Sequence, residues 1–377
     1  MKFYVTWLLL LLLYGCQTTS DELFPTPKEN IKNITIKTQP LDSICLDNIN
    51  ASYVGEVGLI GDSIYFVDSK FCWLYFFDKD GKSVKRELGQ GRGPKEISAN
   101  EICGHSSSDD GWVFVGANND CYLYDRGLNF IKTCPINRGD RDTILSFDLP
   151  SIYTLSYNNL TLKRYNQMLY MNIYSEAPKL NFFEDAKSYF DKSKTLFKTD
   201  LNNGNVIELL GGYPPIYSMD SDANRLYCNV NYDINTNNGD FYVSYEADSL
   251  IYCYNKNYKS KWSFGIPGED VNINYPKFSI KEFAKKFHSE RLLYSYYSGL
   301  KYISELDVVV RTYSKGKDHN NDGMQIYEGK VLVGDVAVPK NFKVIGYIAP
   351  YIYGYCGIDE INEQIKIFKF KYTGNDK

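Results

Sequence analysis

A recurring phrase constrains this chain more than any other feature. An apolar run, Gly61 to Asp68, is followed by Trp73 to Asp78, a turn at Lys79-Asp80-Gly81-Lys82 and a third run from Val84 to Leu88. The phrase returns as Asp110 to Val115, Cys121 to Asp125, a turn at Arg126 to Asn129, and Phe130-Ile131. The aspartate that ends the second run moves from position 78 to 125, a spacing of 47 residues. A third copy runs through Met168 to Tyr174, Thr195 to Asp200 and Val206 to Leu209, split by an insertion near residues 184–193. A fourth runs through Gly239 to Tyr245, Leu250 to Asn255 and Trp262. Val308 to Tyr313 with Lys330 to Val333 suggests a fifth, and Tyr347 to Tyr355 with Ile365 to Phe370 a sixth.

The composition of the runs is that of strands. The chain carries 34 tyrosines and 21 phenylalanines, clustered with Val and Ile and bounded by Gly, Asn and Asp, as β-structure prefers. Short strands repeating at 40–50 residues are the signature of propeller blades, and one such blade cannot bury both of its faces alone. The expectation is an all-β fold, a six-bladed β-propeller of four-stranded antiparallel blades. Ile34 to Lys37 is expected to complete the last blade. One short helical insertion is predicted where Ser279-Ile280-Lys281-Glu282 forms a capping box and Ile280, Phe283, Ala284 and Phe287 share a helical face. It is expected to lie over one end or flank of the blades.

The N-terminus reads as a targeting segment. Met1-Lys2 precedes an uncharged run from Phe3 to Tyr14, then Gly15-Cys16, which fits a secretory signal and is too short to span a bilayer comfortably. Leu13-Tyr14-Gly15-Cys16 resembles the lipobox of bacterial lipoproteins, which implies cleavage before Cys16 and lipid on its thiol. The expected organisation is a signal peptide over 1–15, a flexible tether over 16–30 and a single propeller domain over 31–377. The formal charge of −4 offers no basic field for nucleic acid, which is excluded as a partner. Eight cysteines follow Cys16 without a C-x-x-C pair, so zinc spacing is absent. Cys72, Cys121, Cys228 and Cys253 read as buried within strands, with one or two disulfides at most.

Leu88 to Ile97, with the order Leu-Gly-Gln-Gly-Arg-Gly-Pro-Lys-Glu-Ile, looks like the Gly-rich inter-blade segment of the TolB-like and NHL-like six-bladed propeller lipoproteins of Gram-negative gut bacteria. The lipobox, the Asp-ended strands and Gly239 to Asn255 are similar to that group too, and together the motifs cover about half of the chain. The resemblance implies a fold and a cell-envelope location but carries almost no activity. Ser20-Asp21-Glu22 resembles surface-export signals of related lipoproteins. Outer-membrane attachment is expected, with either face open.

Few residues point to chemistry. The glycines from Gly89 to Gly93 lack the Gly-Lys-Ser/Thr ending of a phosphate loop and lead into more strand, so they read as a tight crossing. Asp318, Asn320 and Asp322 match the first half of a calcium loop, but the twelfth position is Gly329 and not a glutamate, and a polar hairpin tip explains them equally well. No other cofactor is expected. His105, His288 and His319 are the only histidines and none adjoins a nucleophile motif; Ser298-Gly299-Leu300-Lys301 has S-x-x-K spacing without its companion motifs. No catalytic residue is assigned. The reading favours a membrane-anchored binding or scaffolding propeller for a protein, peptide or glycan. The competing reading is a lactonase-like hydrolase with oxygen ligands around an axial metal ion.

Overall fold

The computed structural model describes residues 23–140, 146–157, 160–372 and 374, and it is a six-bladed propeller of antiparallel sheets. The expected signal peptide and Cys16 lie outside the described residues. Two strands, β1 (Ile31–Ile36) and β2 (Asp42–Cys45), precede the blades. Blade I is β3 (Gly55–Ile60), β4 (Ser63–Asp68), β5 (Trp73–Phe77) and β6 (Ser83–Leu88). Blade II is β7 (Ile102–Ser108), β8 (Gly111–Gly116), β9 (Asp120–Tyr124) and β10 (Phe130–Pro135). In blade III the inner strand is split: β11 (Tyr153–Leu155) and β12 (Leu162–Tyr165) both pair with β13 (Met168–Ser175), followed by β14 (Leu196–Asp200) and β15 (Val206–Leu210). Blade IV is β16 (Val230–Ile234), β17 (Phe241–Tyr245), β18 (Ile251–Tyr254) and β19 (Ser260–Phe264). Blade V is β20 (Tyr296–Ile303), β21 (Val308–Ser314), β22 (Asp322–Glu328) and β23 (Val331–Val338). Blade VI is β24 (Lys343–Ile348), β25 (Tyr351–Asp359) and β26 (Gln364–Lys371), completed by β2.

Burial follows position in the blade. Every residue of β8 is buried, as are Ile64 to Asp68 of β4 and Val308 to Tyr313 of β21, because a middle strand is covered by the neighbouring blade on each face. Such strands read as continuous apolar runs and not as alternation. The outermost strand is different: Ser83 to Arg86 of β6 are exposed. Trp112 shows how blades join. It is 1% exposed, meets the edges of Tyr65 and Phe76 of blade I with centroids 4.9 and 6.0 Å away, and stacks on Phe114 at 5.8 Å.

The repeated Asp or Asn has a structural reason. It stands at the end of the third strand in blades I to IV and, as Asp359, at the end of the second strand, β25, in blade VI, and its carboxylate or amide oxygen accepts backbone N–H groups of the turn that follows. Asp78 accepts from Asp80 and Lys82 at 2.9 and 3.0 Å, Asp125 from Asn129 at 2.8 Å, and Asp200 from Asn202 at 2.8 Å. Asn255 accepts from Asn257 and Lys259 at 2.9 and 3.1 Å, and Asp359 from Asn362 at 2.9 Å. These are Asx turns, which set the reversal without tertiary help.

The ring is closed by the N-terminal chain, one segment further on than expected. Asp42–Cys45, and not Ile34 to Lys37, is the fourth strand of blade VI, antiparallel to β26, while β1 adds a parallel fifth strand to blade V. Beyond β2 the chain hooks onto blade I, with Asp47 N–H donating to Gly81 O at 2.8 Å and the Asp47 carboxylate accepting from Ser83 N–H at 2.8 Å. Gly81 has φ of 87° and a Cβ there would stand 2.6 Å from Cys45 O, so the seam requires glycine. Part of the stretch expected as tether is also held: Phe24 packs edge-on against Tyr252 at 5.1 Å, and Ser263 Oγ donates to Pro25 O at 2.5 Å.

One helical insertion was expected, and the structure has more. Besides a 3-10 turn at Pro150–Ile152, short helices α1 (Ala186–Lys192), α2 (Pro215–Met219) and α3 (Ser221–Asn224) precede the anticipated α4 (Ile280–Arg291). α1 fills the insertion in the third repeat, capped by Asp185, which accepts from Ser188 N–H at 2.9 Å. α4 has the expected capping box between Ser279 and Glu282. Its Phe283 is buried against Phe182 and Phe183, and its Arg291 pairs with Glu246 and lies over the Tyr227 and Tyr296 rings. These insertions fall between the second and third strands of blade III or between blades, so they share the face where the inner strands begin. The eight described cysteines are free thiols. Cys72, Cys121 and Cys253 are buried, although Cys72 sits in a turn and Cys228 just before β16.

Trp112→Ala should lower the unfolding free energy by about 3–5 kcal/mol, the range for deleting a large buried aromatic. Denaturant unfolding checks this; an unchanged midpoint would show that blades I and II do not depend on this contact.

Candidate functional site

Six inner strands, β3, β7, β12, β16, β20 and β24, surround the propeller axis, and they enclose a cavity of about 810 Å³. Its lining runs from Glu56, Asn231, Ser298 and Lys343 at the strand starts to Gly61, Asp110, Asn166 and Glu305 at the strand ends. These strands are not apolar runs, because each lies between the inner strands of its two neighbours and leaves one edge open to the axis. Glycine appears where space is short: a Cβ on Gly58 would lie 2.3 Å from the Tyr65 ring.

Two charged groupings face one another in the cavity. In the first, Asp233 of β16 is 4% exposed and bridges Lys163 of β12 at 2.9 Å and Lys301 of β20 at 3.0 Å. It also accepts from Tyr302 N–H at 3.0 Å. Burial alone would raise its pKa, yet the two ammonium groups hold it down at about 2. Lys163 is lowered in turn, by burial and by the neighbouring charge of Lys301, against the pull of Asp233. In the second grouping, Glu56 of β3 lies 3.3 Å from His105 Nδ1, His105 Nε2 lies 2.9 Å from Tyr65 OH, and that hydroxyl is 3.1 Å from Ser107 Oγ. Burial raises the Tyr65 pKa above its usual range, so the phenol keeps its proton. With Nε2 accepting from Tyr65 and Nδ1–H donating to Glu56, the ring links the three groups. Glu56 keeps 52% of its side chain open to the cavity water although protein surrounds it at longer range. Burial would raise its pKa, but the His105 contact and the charges of Lys343 and Lys163 bring it below the usual value.

Lys343 of β24 is the third ammonium group of the wall. It is exposed, its charge acts on Glu56, and a Cβ on Gly299 would lie 3.9 Å from its Cγ. No described carboxylate lies within ion-pair reach of it. With Arg126 and Arg164 against Asp109, Asp110 and Glu305, the three lysines, Glu56 and Asp233 make a lining with equal numbers of positive and negative side chains.

Sequence reasoning singled out some of these residues without their roles. His105 and Lys301 line the cavity, and so does Ser298, but Ser298 Oγ donates to Thr312 Oγ1 at 3.2 Å while Lys301 is held by Asp233. They do not form a nucleophile and base. The Gly89–Gly93 loop is closed on itself: the Glu96 carboxylate accepts from Gly93 N–H at 2.6 Å, and a Cβ on Gly91 would stand 2.1 Å from it. The motif's acidic residue therefore occupies the amide that a phosphate would need. Asp318 and Asn320 are exposed, but Asp322 is buried, with its oxygens accepting from Lys315 N–H at 3.1 Å, Lys340 Nζ at 2.9 Å and Asn341 N–H at 2.7 Å. Among the described residues no three His, Cys, Asp or Glu side chains converge as metal ligands do. Among the described residues, none of 279–291 lines the cavity. Sequence reasoning missed Glu56, Lys163, Asp233 and Lys343. The available signal was a lone charge inside a short, otherwise neutral strand, as in Val230-Asn-Tyr-Asp-Ile234, placed just before a repeat unit.

No family model matches this sequence, and no curated protein matches it. Among solved structures it is similar to a member of the DUF4221 family from Bacteroides vulgatus, with a TM-score of 0.63 over 89% of this chain and 97% of that one, at 12% identity. A Bacteroides fragilis protein assigned as exported matches with a TM-score of 0.49 and 14% identity, over 90% of this chain and 99% of that one. The first likeness spans the whole propeller and concerns the fold alone. Among the described residues no helix is long and apolar enough to cross a membrane.

Asp233→Asn removes one partner of two lysines, and about 2 kcal/mol of stability should go with it near neutral pH, since the folded carboxyl titrates about two units below an unfolded aspartate. A depressed folded pKa contributes above the unfolded value and is lost as pH falls from about 4 to about 2. The difference in stability between native and variant chains, measured by denaturant unfolding across pH, should shrink over that window. A pH-independent difference would assign the effect to packing.

Proposed function

We propose that this chain is a cell-envelope lipoprotein, tethered to the outer membrane by lipid on Cys16, whose propeller binds a ligand in its axial cavity. The cavity carries this reading. It is preformed, of a size that holds small ligands, walled by paired charges and hydroxyls, and lacks a nucleophile–base pair among the described residues. A protein segment, a peptide end or a glycan is the kind of occupant that fits. Leader, lipobox and the Gly-rich Leu88 to Ile97 segment support placing it with the TolB-like and NHL-like envelope propellers.

The hydrolase reading needs three or four oxygens converging on one axial point. Among the described residues no three His, Cys, Asp or Glu side chains converge on such a point, and Asp233, the buried carboxylate of the wall, is taken by Lys163 and Lys301. The residues present do not fit an axial metal, and no step through one is derived.

Intact mass of protein extracted from membranes should exceed the mass of the chain from Cys16 onward by a lipid-sized increment. Cys16→Ala should lose that increment and leave the membrane fraction. An unlipidated protein found in the soluble fraction, with Cys16 intact, would reject the anchor. Protease treatment of intact cells then assigns the face: cleavage places the propeller outside, protection places it in the periplasm.

A further inference from the structure

We infer that the face carrying the helical insertions lies against the bilayer, with Met219, Leu292 and Ile361 entering its interface. The inference rests on the lipid anchor proposed above and adds how the propeller stands on it. The place where the tether ends is the first support. Leu23 packs beside Gly212, 3.5 Å from where a Cβ there would stand, in the connection that leads from β15 to α2. Phe24 meets the rings of Tyr245 and Tyr252, and Pro25 O accepts from Ser263 Oγ. Tyr245 ends the second strand of blade IV and Ser263 lies next to the end of its fourth. Strands of a blade alternate in direction, so the second and fourth end on the face where the first begins. The described chain therefore starts on the insertion face. Gln17 to Glu22 are all that separate Leu23 from Cys16, and a stretch of that length reaches at most about 25 Å when fully extended. Lipid on Cys16 keeps this end of the propeller close to the membrane.

What that face exposes is the second support, and it is independent of the first. Among the described residues the three most exposed large apolar side chains are Ile361 at 93%, Met219 at 85% and Leu292 at 69%. Met219 ends α2 between blades III and IV, Leu292 follows α4 between blades IV and V, and Ile361 stands in the turn from β25 to β26 of blade VI. All three positions belong to the insertion face, which holds the connections between blades and the turns from second to third strand. The turns of the opposite face expose no large apolar side chain among the described residues, and Val84, Ile131 and Ile207 lie in outermost strands on the rim. One exposed apolar residue is ordinary on a protein surface. Three spread around a single face define a plane, and the tether ends on that face. Their supports are fixed: the Tyr217 hydroxyl of α2 donates to Tyr227 O at 2.6 Å, and Arg291, next to Leu292, is paired with Glu246. Such side chains leave water by entering the boundary between headgroups and acyl chains, and the binding grows with the apolar area buried. The cavity mouth ringed by Gly61, Asp110, Asn166 and Glu305 then opens away from the membrane, toward ligands in the aqueous phase.

The test reconstitutes the full lipidated chain in phosphatidylcholine vesicles, with and without bromine on the acyl chains, and adds one surface tryptophan at a time. Met219→Trp and Leu292→Trp report on the insertion face, Ile207→Trp on the rim, and Asn257→Trp, in an exposed turn, on the opposite face. With the native chain's emission subtracted, the signal at 219 and 292 should fall by at least about half in brominated vesicles, because a side chain about 5–10 Å into the interface comes within reach of the bromines. The signal at 207 and 257 should not change. Unfolding midpoints equal to the native chain's show that the variants are folded; where one drops, Ile361→Trp takes its place. A chain that floats with the vesicles but is quenched no more at 219 and 292 than at 257 would overturn the inference and leave the anchor standing. Quenching at 207 in place of 219 and 292 would lay the disc on its edge and overturn it too. A native chain that carries no lipid and does not float would reject the anchor and the inference together.

Discussion

A four-stranded blade has two apolar faces and can cover neither by itself, and everything else in this chain follows from that. β8 is buried along its whole length only because blade I covers one side of blade II and blade III the other. The ring must therefore close, and the chain closes it with its own N-terminal strand, β2, paired to β26 in the last blade. Covalent connection between blade VI and blade I is thus made through one strand that belongs in space to the former and in sequence to the latter. A parallel strand, β1, extends the same belt onto blade V.

Closure leaves one region where the blades cannot cover each other, the axis. The inner strands face a shared space too narrow for large side chains at every position and too wide to seal, and they fill it with glycine and paired charges. Asp233 with its two lysines and Glu56 with His105 each link neighbouring blades. A half-open pair in such a space costs less to desolvate than one in the core, and its geometry is fixed by strands and not by loops. The outcome is a polar wall of paired charges, which is what makes it a candidate for recognition, and among the described residues its carboxylates do not converge to cradle a cation.

The face that carries long insertions has a different organisation. α1, α2, α3 and α4 bring Phe182, Tyr189, Phe190, Tyr213, Tyr217 and Phe283 into one aromatic cluster beside blades III and IV. The opposite face has short turns set by the Asx motif. Variation in length is thus confined to one side of the disc, which leaves the strand ends and the axis undisturbed.

The sequence by itself determined the blade count, the middle and third strands of most blades, and the Asx turn after them, because these depend on local composition and on a repeat of fixed spacing. It also carried the capping box of α4 at Ser279 and the reading of Gly89 to Gly93 as a crossing and not a phosphate loop. It missed β22, where Asp322 looked like a calcium ligand and is instead a buried acceptor for Lys315, Lys340 and Asn341. It placed the closing strand too early, since Ile34 to Lys37 and Asp42 to Cys45 are both plausible strands and only pairing distinguishes them. The axial site was beyond reach for a stronger reason. Glu56, His105, Lys163, Asp233, Lys301 and Lys343 come from six different blades, and no spacing along the chain encodes their convergence. Local chemistry dictates what one blade is; which residues share the axis is decided by how six of them close into a ring.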